Sequence, residues 1–146
     1  MKKLLCAFLV LACMPFAHAA PLTATRETYM RDAIDRVTIA AENNDYHLVK
    51  IQRIDSALVK RGYDDPGVSI LFIGQHAAME QAQADYPPLL SMLPFKLVLV
   101  VRGKDIVVIS DDLDAWKEMF PDPAAHRLIE RWRSEIILIL KDFSAD

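Results

Sequence analysis

The chain has 146 residues, of which 53% are hydrophobic, and carries 17 basic against 20 acidic side chains for a net charge of −3. That balance argues against a nucleic-acid binder, which would normally present a basic face. Its two cysteines, Cys6 and Cys13, both lie in the first twenty residues.

Lys2 and Lys3 form a short positive start, and residues 4–16 follow without a charge. The run is too short for a membrane-spanning helix, which needs ~20 apolar residues, and matches the apolar region of a secretory signal. Ala17 and Ala19 supply the small residues that signal peptidase requires, so the expected cut follows Ala19 and the mature domain covers residues 20–146. The expected location is a bacterial periplasm. An alternative reading takes Val10-Leu11-Ala12-Cys13 as a lipobox, with Cys13 lipidated.

Cleavage after Ala19 leaves 15 basic against 20 acidic residues, a charge of −5, and no cysteine. Disulfides, thiolate catalysis and Cys-metal sites are thereby excluded from the mature chain. About 127 residues suffice for a single core. No linker, repeat or low-complexity run divides them, so one domain is expected.

Residues 23–43 read as a first helix. Met30, Ala33, Ile34, Val37 and Ala41 recur at three- and four-residue spacing, Thr25 serves as cap, and Asn43-Asn44-Asp45 ends it. Residues 47–54 read as a half-buried strand with Val49 and Ile51 on one side and Lys50 and Gln52 on the other. A short helix from Asp55 or Ser56 to Lys60 stops at Gly62, and Asp64-Asp65-Pro66-Gly67 makes a turn. Residues 68–73 are almost all apolar, as in a strand buried on both faces. Residues 76–85 read as a helix stopped by Tyr86-Pro87-Pro88, and residues 89–94 as an apolar loop. Residues 95–102 and 105–110 form a hairpin turning at Gly103. Residues 111–120 make a short helix. Residues 124–143 make the longest helix after the first, with Leu128, Trp132, Ile136, Leu140 and Phe143 along one stripe. The run 136–140 is apolar all round, and a strand remains the alternative there. The expected class is α+β: a small, mainly antiparallel sheet with helices packed on one face and a long C-terminal helix.

Two stretches resemble a known family. Residues 47–63 carry Asp55, Leu58, Gly62 and Tyr63 of a "D-x-x-L-x-x-x-G-Y" pattern. Residues 70–74 and 86–100 carry Phe72 and Gly74 of "F-x-G", then Pro88, Leu90 and Pro94 of "P-x-L-x-x-x-L-P". Over roughly residues 46–120 the order and spacing resemble the family known as domain of unknown function 302 (DUF302). The resemblance implies a compact bacterial α+β domain, often dimeric, with no agreed activity and no accepted catalytic residue.

Enzyme signatures are sparse. The mature chain has four glycines and no Gly-rich phosphate loop, no H-E-x-x-H and no G-x-S-x-G, so no catalytic residue and no resident cofactor is expected. Four candidate features remain. His76 and Met79 share a helix face and suit a soft ion such as copper(I), with His47 and His126 as candidate further ligands; the competing reading is a surface histidine and a core methionine. Asp111, Asp112 and Asp114 could hold calcium, against a plain helix-capping role. Lys50, Arg53, Lys60 and Arg61 form a basic cluster for an anionic ligand or acidic surface, against an ordinary solvated face; Arg127, Arg131 and Arg133, balanced by Glu130 and Glu135, read as solvated. Leu89, Leu90, Met92 and Leu93, with Ile136, Ile137, Ile139 and Leu140, carry more apolar surface than a small two-layer domain easily hides, which a self-association surface would explain. The leading expectation is a non-enzymatic, homodimeric module binding a periplasmic partner or small molecule, with no membrane span. The alternative is a periplasmic metal-handling protein or enzyme using His76 and Met79 or the Asp111–Asp114 cluster.

Overall fold

The computed structural model describes residues 20–54, 59–62 and 67–146. The expected signal segment, the lipobox at Cys13, the start of the short helix at Asp55 or Ser56, and most of the turn at residues 64–67 lie outside the described residues.

Five strands form one sheet in the order β1-β5-β4-β3-β2, every neighbouring pair antiparallel. β1 is Thr23–Glu27, β2 His47–Arg53, β3 Val68–Gly74, β4 Phe95–Arg102 and β5 Asp105–Ser110. The helices are α1 (Met30–Glu42), α2 (His76–Asp85), α3 (Leu113–Met119) and α4 (Pro123–Ser144), with a 3-10 turn over Pro87–Met92. The α+β class, the helices on one face and the long C-terminal helix are as expected.

The first expected helix begins too early. Thr23–Glu27 alternates exposed and half-buried positions, which is strand periodicity, and it pairs with β5. Thr25 faces Val107 across the ladder, so it caps nothing. The helix starts only at Met30, with no side-chain cap, and buries Ala33, Ile34, Val37, Ala40 and Ala41. It ends where Asn43-Asn44-Asp45 turns the chain, with Asp45 at φ 63°.

β3 also departs from expectation. Its burial alternates strictly: Ser69, Leu71 and Ile73 are buried, and the residues between them only half so. The β4–β5 hairpin turns through Gly103-Lys104, with Arg102 opposite Asp105 and Gly103 at φ 66°. α4 is longer than α1, spans about 33 Å at 1.5 Å per residue, and is capped by Asp122, whose Oδ1 accepts from Ala124 N at 2.7 Å. Along it Leu128, Trp132, Ile136, Ile139, Leu140 and Phe143 are buried. Leu138, half exposed, leaves the run 136–140, apolar all round in sequence, uncovered on one side.

The core centres on Phe95. Its ring stacks on Trp116 at 5.9 Å and meets the edges of Trp132 at 5.4 Å and Tyr46 at 5.8 Å. Leu71, Ile73, Leu97, Leu99, Ile106 and Val108 complete the helix-facing side of the sheet.

Candidate functional site

His76 and Met79 are both exposed, and the His76 ring lies 3.2 Å from Glu80 rather than beside the thioether. The His126 ring is engaged at the α3–α4 junction, its Nε2 3.0 Å from the Lys117 carbonyl. Among the described residues no three His, Cys, Asp or Glu side chains are arranged to hold a metal ion.

The three aspartates diverge. Asp111 pairs with Lys96 at 2.8 Å and also accepts from the Lys96 backbone N–H. Asp112 caps α3, accepting from Asp114 N and Ala115 N at 3.1 Å. Asp114 accepts from Lys117 and Arg133, both at 3.0 Å. The Lys117 hydrogen bond is the main reason its carboxyl lies below the usual range. Lys117 also bridges to Glu130, and that bond chiefly raises the ammonium. This network ties α3 to α4.

The basic cluster does not converge. Lys50 lies opposite Phe72 on the uncovered side of the sheet, whereas Arg53 lies opposite Ser69 on the helix side. Three positions separate them, and strand alternation puts such residues on opposite faces. Lys60 and Arg61 are exposed beside Gly62.

The expected association surface also divides. Leu89, Ile136, Ile139 and Leu140 are buried in the domain's own core and need no second copy to cover them. Leu90, Met92 and Leu93 are half-buried against that core, and Ile137 is half-buried on α4.

Two features stand out that the linear sequence did not single out. The first is a cleft of 510 Å³ where the β1–α1 link meets the hairpin end. Tyr29, Met30, Val101 and Ile106 make its apolar wall; Glu27, Lys104 and Asp105 bring charge. Tyr29 is 82% exposed, and Val101 is 45% exposed although it follows the buried rows of β4. Met30 and Val101 also line a neighbouring 290 Å³ cavity with Arg31 and Arg53. Gly67 lets the chain pass there: its φ is +58°, and a Cβ would lie 3.0 Å from the Val101 side chain.

The second is the side of the sheet without helices. The registers align Ile70, Val98 and Ile109 in one row and Val68, Val100 and Val107 in the next, all half-buried. A signal was present: β3, β4 and β5 are apolar at both parities, as strands covered on both faces are.

In the interior, Tyr46 donates to Glu135 at 2.5 Å. Burial, reinforced by that hydrogen bond and the carboxylate charge, raises the phenol well above its ordinary value.

No family model matches the sequence, and no curated protein matches it. A solved structure does share the fold: the crystal structure of an uncharacterized conserved DUF302 protein from Bacillus stearothermophilus. It aligns over 84% of this chain and 96% of its own at a TM-score of 0.78, with 16% sequence identity. The protein therefore has a DUF302-like fold, as its motifs suggested, and identity at that level speaks for the fold alone. No helix among the described residues is long and apolar enough to cross a membrane.

Proposed function

We propose that the mature domain is an exported, non-enzymatic module that binds a small amphipathic molecule in the cleft beside Tyr29 and works as a homodimer in the periplasm. The observation that carries the ligand reading is the cleft itself. Its 510 Å³ lies within the ~300–1,000 Å³ typical of small-molecule sites, and an apolar wall faces a few charged groups. An occupant with a flat or aliphatic body would lie on Met30, Val101 and Ile106. Its polar end would meet Lys104, Glu27 or Asp105.

Native mass spectrometry of the protein purified from the periplasm without a chelator tests this reading. A start at Ala20 supports export. A retained small molecule that is lost in Val101→Trp, a substitution that fills the cleft, supports the site. A ligand retained equally by that variant would move the site elsewhere, and a bound metal ion would instead revive the metal-handling reading.

A further inference from the structure

We infer that the uncovered face of the sheet is the homodimer contact, and that a second copy of this chain crosses it at a steep angle. The inference rests on the dimer reading above and adds the surface and the geometry.

The central rows of this face are apolar. Val98 has Ile70 on one side and Ile109 on the other; Val100 has Val68 and Val107. Thr23 and Thr25 of β1 and Gln52 of β2 flank those rows. Charge appears only at the ends. Lys50, Phe72 and Lys96 align at one end, and Arg102, Asp105 and Glu27 at the other. An apolar centre inside a polar rim is the anatomy of a specific interface. Five strands about 4.8 Å apart, each with about six residues, span a face roughly 20 Å on a side. That is ~400 Å² in projection, and side-chain relief carries the accessible area toward the ~800 Å² per partner of a standard interface.

Charge selects the occupant and its orientation. Lys96 is held by Asp111, so Lys50 supplies the net positive charge of its end. Arg102 lies opposite Asp105, so Glu27 supplies the net negative charge of the other. Lys50 sits on β2 and Glu27 on β1, the two outer strands, at opposite ends, so they occupy diagonal corners. A twofold axis along the other diagonal places each Lys50 over the partner's Glu27 and stacks the apolar rows. The strands of the two sheets then cross near a right angle, one of the two common modes of sheet packing. The surface is thus complementary to itself in charge, with its apolar centre facing its own copy.

Sedimentation velocity of the purified protein from 1 to 50 μM (roughly the range in which a standard interface of moderate affinity associates) tests this. The wild type should be a dimer. Val98→Lys should weaken association about 100-fold or more while keeping the wild-type far-UV circular dichroism, because its side chain is half exposed in one copy. Lys50→Glu and Glu27→Lys should each weaken it about tenfold, and the double reversal should restore it. A monomeric wild type overturns both the dimer reading and this inference. A dimer indifferent to Val98→Lys and to the charge reversals overturns the inference and leaves the dimer reading standing on another surface. If Val98→Lys fails to fold, the charge reversals decide: single losses without restoration by the pair overturn the crossed geometry.

Discussion

Tyr46→Phe isolates one buried polar contact without disturbing the aromatic cluster. The Tyr46 ring is fully buried, meets Phe95 edge-on, and donates its hydroxyl to Glu135. Phenylalanine keeps the ring and deletes one hydrogen bond to a carboxylate, worth about 1.5–3 kcal/mol where the acceptor is ionised. Glu135 is half-buried, so water takes over part of its solvation, and the net loss should fall near the low end, about 1–2 kcal/mol. For a domain of this size that corresponds to a fall in Tm of roughly 3–8 °C. The phenol also imposes a pH dependence. Its folded value is raised above the ordinary 10.0, so its contribution is fully present below about pH 10. Above that the unfolded state loses its proton first, and the contribution decays as pH climbs toward the raised folded value. Urea unfolding of both proteins at pH 7 and pH 10.5 reads both effects. The advantage of the wild type over Tyr46→Phe should narrow by about 0.8 kcal/mol at the higher pH, half a unit above the ordinary phenol value. Equal stabilities at pH 7, or a gap that does not narrow with pH, would refute the role given to this contact.

Other perturbations have definite expected outcomes. Asp112→Ala removes the cap of α3 and should cost about 1 kcal/mol in chemical denaturation, whereas Asp112→Asn should cost much less. Asp114 is held below its ordinary value, so its ion-paired contribution is present above the carboxylate range and lost as pH falls through it; Asp114→Asn should flatten the acid side of a Tm-versus-pH profile. Leu97→Ala empties a fully buried position on the helix-facing side of the sheet and should cost about 2–5 kcal/mol. Val100→Ala, on the other face of the same strand, should cost clearly less in the monomer.

The hairpin and the last helix were legible because local rules agree there. Gly103 marks the turn between two β-branched runs, and Leu128, Trp132, Ile136 and Phe143 repeat at helical spacing with a Pro-Asp-Pro boundary ahead of them. β1 was not legible because Arg26 and Glu27 read equally well as the polar side of a helix. Only the edge of β5 makes Thr23–Glu27 a strand, and their paired residues lie 78 (Glu27 and Asp105) to 86 (Thr23 and Ile109) positions apart in sequence. Basic residues at positions 50 and 53 looked like a cluster in one dimension, yet strand parity alone separates them. The cleft beside Tyr29 joins the start of α1 to the end of a hairpin some 70 residues later, a meeting that no local pattern encodes.

The last helix closes on the first strand. The Arg26 guanidinium donates to the carbonyl of Ala145, a contact spanning 119 positions, and Leu140 and Lys141 line the groove along Leu22 and Ala24. β1 is therefore seated in part by residues more than a hundred positions later in the chain. The strand thus rests on two distant partners, the β5 ladder on one side and the last helix on the other. Such long-range closure is slow, because the loop entropy is spent before any contact rewards it.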